Sequence, residues 1–113
     1  MDKLENYKQI IKKIINYYVE LDRKTPEPNM EYFLIADDIN GQYLWKTVGW
    51  EKDEHIDLTT VYARLKNGKI YIEEDWTEEG IATDLLREGV PKQDIVLAFH
   101  EPSIRQYTEF AIA

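Results

Sequence analysis

No cysteine occurs in this chain. Disulfide cross-links, thiolate nucleophiles and cysteine-ligated metals are therefore excluded. Histidine is nearly as scarce. His55 and His100 are the only two imidazoles, too few for a multi-histidine metal site. The 5 glycines are scattered, so neither a phosphate-cradling loop nor a dinucleotide fingerprint can be assembled. Ser103 stands outside any G-x-S-x-G elbow. No apolar run approaches the roughly eighteen residues of a membrane span. The opening "MDKLENYKQ" has no signal-peptide core behind a basic end. We expect a cytoplasmic, soluble protein with no membrane association, no metal and no cofactor.

A surplus of positive charge is also missing. The formal net charge is −8, and it is unevenly spread. Residues 1–30 carry six basic and five acidic side chains, whereas residues 31–113 carry eight basic and seventeen acidic. Nucleic-acid phosphates are held largely by Lys and Arg that displace counterions, and a field of this sign repels DNA at long range. Direct nucleic-acid binding is disfavoured and a basic protein partner is favoured. The cluster Lys8, Lys12 and Lys13 is the only foothold for a direct DNA-binding alternative.

What is present suits one domain over residues 1–113, with 43% apolar residues and room for a core. The pattern predicts an α+β fold: a long N-terminal helix, a four-stranded antiparallel meander sheet, a second helix, and a short C-terminal apolar segment and tail. Leu4, Tyr7, Ile11, Ile14, Tyr18 and Leu21 recur at gaps of three and four, one face of an amphipathic helix. Ile10, Ile15 and Tyr17 widen that stripe. Asp2 followed by Glu5 has capping-box spacing. The stripe also fits a short heptad seam, but a helix laid across a sheet explains it more simply. "TPEPN" ends the helix, since proline lacks the N–H and clashes with the preceding turn.

Four strand-like runs follow: "YFLIA", "YLWKTVGW", "IDLTTVYARL" and "KIYIEEDW". The Asn40-Gly41 and Asn67-Gly68 pairs suit tight hairpins, and "EKDEH" makes the turn between them. In the second run Leu44, Val48 and Trp50 share one face, and Tyr43, Trp45 and Thr47 the other. "TEEGIATDLLREGVP" reads as the second helix, capped by Thr77 and closed by Gly89 and Pro91. The short apolar run at residues 95–99 then leads to the tail.

Three sets of side chains invite a chemical reading. Asp37 with Asp38, and the run Glu73, Glu74 and Asp75, could hold a hard cation, but neither has the spacing of a calcium loop. Neighbouring strand residues also point to opposite faces. In the tail, His100, Glu101, Arg105 and Tyr107 could supply an acid or base, an anion clamp and a phenol. The plainer alternative has Pro102 turn the chain and Phe99, Ile104, Tyr107 and Phe110 pin it to the core. Arg105 then pairs with a carboxylate, and His100 bonds the backbone. Finally, helices can cover one sheet face only, so the other exposes some of Tyr43, Trp45, Tyr62 and Tyr71 unless a partner covers them. We expect self-association as a homo-oligomer, or a dedicated protein partner, through that face. The candidate interaction residues are Tyr43, Trp45, Tyr62, Tyr71, His100, Arg105 and Tyr107.

The chain resembles the XisI-like family of small cyanobacterial proteins, named as controlling factors for excision of the fdxN element. The likeness lies in "VGW" at residues 48–50 and in the block "NGKIYIEEDWTEEGIATDLLREGVPKQDIVLAFHEPSIRQYTEFAIA". It extends from "DKLENYKQII" to "YTEFAIA", and "GVPKQDIVLAFHEP" is its most specific part. The resemblance implies an accessory factor that works with a companion called XisH so that a site-specific recombinase can remove a DNA element. It implies a protein partner, an XisH-like companion and/or the recombinase. It transfers no catalytic motif, so a non-enzymatic regulator is expected. The alternatives are a direct DNA-binding excision factor and a small enzyme centred on His100 and Arg105.

Overall fold

The computed structural model describes residues 2–113. Helix α1 spans Lys3–Lys24, and the Asp2 carboxylate caps it by accepting the Leu4 N–H at 3.3 Å. One of the orphan donors of the first turn is thereby satisfied. The face it buries comprises Tyr7, Ile10, Ile11, Ile14, Ile15 and Val19. Leu4 and Leu21, at the ends of the stripe read from the sequence, remain exposed. A sheet is broader than a partner helix, so the buried band is wider than a heptad seam and extends to Ile10, Ile15 and Val19.

The sheet has five strands in the order β1-β2-β3-β4-β5, where the sequence suggested four. Strands β1 (Met30–Asp37), β2 (Gln42–Glu51), β3 (Glu54–Lys66) and β4 (Lys69–Asp75) form the expected antiparallel meander. The short apolar run supplies β5 (Ile95–Leu97), which pairs parallel to β4, so the sheet is mixed. Parallel pairing needs a crossover connection, here provided by helix α2 (Ile81–Arg87). Three residues are too short a run to reveal their pairing by alternation.

The two Asn-Gly turns differ. Asn67 (φ 54°) and Gly68 (φ 76°) are both left-handed between paired Lys66 and Lys69, as a two-residue type I′ turn requires. Asn40-Gly41 instead closes a four-residue loop between Asp37 and Gln42. There the Asp37 carboxylate accepts the N–H groups of Ile39 and Asn40, each at 3.0 Å. Thr77 is not the cap of α2. The helix begins at Ile81, and its first N–H donates to Asp75 Oδ2 at 2.6 Å, while Thr77 folds back onto Asp75 Oδ1. A carboxylate from the end of β4 thus does the capping from six residues upstream.

Both helices share one core with one sheet face. Tyr43, Val61, Ala63, Ile70, Ile72 and Ile95 meet the isoleucines of α1 and Ile81 and Leu85 of α2. Polar ties hold α1 along its length. Near its start, Tyr7 donates to Asp94, which also receives Lys3 at 2.9 Å. Further along, Lys12 reaches Asp38 at 2.9 Å and Tyr18 donates to Asp84 at 2.8 Å. At its end, Arg23 donates to the Tyr32 carbonyl through Nε at 3.0 Å and Nη2 at 2.6 Å. Burial, and then the hydrogen bond to a carboxylate, pushes the phenols of Tyr7 and Tyr18 each up to about 12. Burial would raise the Asp94 carboxyl, but its bonds from Tyr7 and Lys3 outweigh that and hold it below the ordinary range.

Gly49 lies where the start of β1 crosses β2. A Cβ there would overlap the Asn29 carbonyl oxygen and lie 2.8 Å from Met30 Sδ and 2.9 Å from Met30 Cα. We predict that Gly49→Ala destabilises the protein by about 1–3 kcal/mol in chemical denaturation, because backbone must move. An unchanged midpoint would show that the crossing is not tight. A second prediction concerns alkali. A phenol with a higher pKa folded than unfolded stabilises the fold while neutral. That contribution is complete below the unfolded value of about 10 and is lost as pH rises through about 12. Denaturation free energy should fall across this window, and fall less in a Tyr7→Phe, Tyr18→Phe variant. The same slope in both proteins would refute the assignment.

Candidate interaction surface

The register of the strands decides which aromatic rings the helices cover. Tyr43 pairs with Ala63 and Trp45 with Val61, all on the helix side, whereas Leu44 pairs with Tyr62 on the other. The expectation that Tyr43 and Trp45 lie on the uncovered face is therefore corrected. Tyr43 is wholly buried and donates to Asp38 Oδ1 at 2.8 Å. Burial foremost, aided by that carboxylate, pushes its phenol upward. Trp45 stacks on Tyr18 of α1, with ring centroids 5.3 Å apart and planes 7° from parallel. Burial also raises the nearby Asp22 carboxyl. The Trp45 indole opposes that shift, although its buried Nε1–H has no partner of hydrogen-bond geometry among the described residues. Tyr71 does lie on the far face, but it is buried, opposite Val96 and with the Lys66 ammonium over its ring at 5.4 Å. Of the four rings, Tyr62 alone borders the open surface.

That surface carries apolar side chains on three strands, interrupted by the Lys46–Asp57 ion pair. Phe33 and Ile35 of β1, Leu44, Val48 and Trp50 of β2 and Tyr62 of β3 alternate with the buried rows. Ile35, Leu44, Tyr62 and Glu74 form one cross-strand row over four strands. Trp50 is 53% exposed and its ring lies 4.9 Å from that of His55, which sits on β3 and not in a turn. Lys46 crosses the face to Asp57 at 2.6 Å and holds that carboxyl below its usual range. The row ends in a hollow lined by Tyr62, Glu73, Glu74, Asp75, Trp76 and Phe99. Sequence reasoning passed over Trp76 and treated Phe99 as a core pin. The structure leaves Trp76 75% and Phe99 48% exposed.

The tail answers the question raised by His100 and Arg105. After β5 the chain turns, and Pro102–Tyr107 forms a 3₁₀ segment. Arg105 donates to three backbone carbonyls: His100 at 3.0 Å, Ala98 at 3.2 Å and Ile112 at 3.4 Å. It grips the tail and not a carboxylate, with all three guanidinium nitrogens donating to main chain. The His100 ring leans on Phe99 at 4.6 Å. Beyond it, Ala111 donates to the Ile95 carbonyl at 2.9 Å and bridges Val96, so the tail partly covers the edge of β5. Phe110 packs on the core, but Phe99, Ile104 and Tyr107 project outward, Tyr107 with 82% exposure. His100 and Arg105 meet only through a main-chain oxygen.

The carboxylates weighed as cation ligands have other partners. Asp37 organises the β1–β2 loop, Asp38 receives Lys12 and Tyr43, and Asp75 caps α2. The hydrogen bonds from Lys12 and Tyr43 hold Asp38 below the ordinary carboxylate value. Among the described residues no group of three or more His, Asp or Glu could hold a metal ion. Among the described residues no helix is long and apolar enough to cross a membrane.

If Arg105 is the pin of the tail, Arg105→Ala should speed hydrogen exchange at the Ala111 amide roughly tenfold or more while leaving the β3 amides protected, since local opening is cheaper than global unfolding. Uniform acceleration across the sheet would show instead that the tail and core open together.

A family model described as XisI protein matches residues 1–112. Among curated proteins nothing matches. Among solved structures, an XisI-like protein from Anabaena variabilis superposes with a TM-score of 0.91 and 33% identity, over 97% of this chain and 99% of that one. The fdxN element excision controlling factor XisI from Anabaena variabilis superposes with a TM-score of 0.85 and 42% identity, over 99% of this chain and 100% of its own. Family model and full-length structural likeness agree with the tail and hairpin motifs, and the chain belongs to the XisI family.

Proposed function

We propose that this protein is a non-enzymatic accessory factor in the excision of a DNA element, acting through a protein partner and not through base contacts. The partner is an XisH-like companion and/or the recombinase. The observation that carries the reading is the sheet face opposite the helices, where Phe33, Ile35 and Trp50 are exposed and Leu44, Val48 and Tyr62 half-buried around the Lys46–Asp57 pair, with no covering layer among the described residues. Large apolar side chains left exposed on one sheet face are a feature of interaction sites. The name of the 42% identical relative, an excision controlling factor, points the same way.

The alternatives have less support. The basic cluster is neutralised where it stands: Lys8 faces Glu5 at 3.9 Å, Lys12 meets Asp38 at 2.9 Å and Lys13 meets Glu88 at 2.9 Å. A duplex would have to displace these carboxylates to use the three lysines. The enzyme reading rested on His100 and Arg105, and Arg105 is engaged by three carbonyls.

The test is co-purification with the XisH-like companion, at low and at high salt, beside a gel-shift assay on duplex DNA. We expect a complex that weakens as salt rises, since rim charges are screened, and no shift of bare duplex. Absence of a complex at both salt concentrations, or tight, salt-sensitive binding to duplex alone, would overturn the proposal.

A further inference from the structure

The hollow at the end of the open face is built from three separate elements. Tyr62 comes from β3, Trp76 from the end of β4, and Phe99 from the turn after β5. Its volume is about 350 Å³. Each ring is positioned by bonds that do not depend on a ligand. Trp76 donates its backbone N–H to the Thr60 carbonyl at 2.9 Å, and Phe99 donates its own to Ile72 at 3.1 Å. The Tyr62 hydroxyl donates to Gln42. Two irregularities in pairing bring them together, one residue being extra in β3 at Thr60 and one in β4 at Glu73. Bulges of this kind re-aim side chains at the margins of sheets.

The chemistry of the hollow selects its occupant. Three of its lining residues are carboxylates, Glu73, Glu74 and Asp75, and none is basic. Asp75 is occupied on both oxygens by Thr77 and Ile81. Glu73 uses one oxygen for Arg64 at 3.3 Å and Glu74 one for the Trp76 indole N–H at 2.7 Å. Each of these two carboxylates therefore keeps an oxygen without a partner among the described residues, beside three aromatic rings. Ring faces attract cations. A planar guanidinium can stack on a ring and donate to carboxylates at once, which a compact ammonium does less well. The acidic surround opposes a second copy of this chain, which carries the same net charge of −8.

We propose that this hollow receives an arginine side chain of the protein partner, with the flanking residues of that basic segment laid along the row Ile35, Leu44 and Tyr62. The inference rests on the reading above that a protein partner exists, and it names where and by what chemistry that partner is held.

Two measurements test it. In the first, the chain alone is titrated with N-acetylarginine methylamide and with its neutral citrulline counterpart, and the Trp76 indole resonance is followed by NMR. We expect the arginine probe to move that resonance and the citrulline probe to leave it. Equal responses, no response, or shifts confined to another site overturn the proposal. In the second, Trp76→Ala and Phe99→Ala are compared with the parent for affinity to the XisH-like companion. A loss of roughly tenfold or more is expected, with circular dichroism unchanged. Companion binding unaffected by both substitutions sinks this inference and leaves the accessory-factor reading standing. If no companion complex forms, the probe titration still decides the hollow. Self-association abolished by Trp76→Ala would assign the hollow to a second copy, against the proposal.

Discussion

Alternate residues of a strand project to opposite faces of a sheet, and in this protein both helices pack on the same face. The other consequences follow from that arrangement. The face under α1 and α2 becomes a dry core of isoleucine, valine and three large rings, Tyr32, Tyr43 and Trp45. The opposite face must remain in water or meet another molecule. A slip of one residue between β2 and β3 would exchange Tyr43 and Trp45 for Leu44 and Lys46 under the helix. The stack of Trp45 on Tyr18, the bond from Tyr43 to Asp38 and the pairing of Lys12 with the same carboxylate all resist such a slip.

The margins of the sheet are handled unequally. At one edge Arg23 covers the Tyr32 carbonyl of β1 with two donors. At the other, the tail returns to lay Ala111 beside Val96, and Arg105 gathers three carbonyls to hold it there. Exposed edges template unwanted pairing, so these arginines act as guards. Arg23 also pairs with Glu20 at 2.8 Å, whereas Arg105 is directed at main-chain oxygen, and the chain keeps its net charge of −8. An apolar face within a negative field suits a basic polypeptide better than a phosphate backbone.

Much of the fold was legible in local pattern. The amphipathic repeat located α1, the apolar and alternating runs located β1 to β4, Asn67-Gly68 placed its tight hairpin, and Gly89 fits the left-handed close of α2 at φ 93°. Each of these signals lies within a few residues of the feature it describes. The start of α2 was misplaced because its cap, Asp75, acts from outside the helix and across a loop. Strand β5 was missed because parallel pairing over three residues leaves no periodic trace. For the candidate site the two faces of β2 were separable by alternation, yet the choice of which face meets water was wrong for Tyr43 and Trp45. Tyr71 was assigned to the far face and is nevertheless buried there.

By itself, then, the sequence determined α1, the four strands of the meander and the presence of a second helix, their order, the acidic excess and the absence of thiol or multi-histidine chemistry, since these depend on residue type and short spacing. The tertiary structure alone decided which face is bare, that Arg105 holds the tail, and that Tyr62, Trp76 and Phe99 surround one hollow. Those outcomes depend on register and on bulges between strands, and pairings between residues far apart in the chain leave no mark in either partner's local pattern.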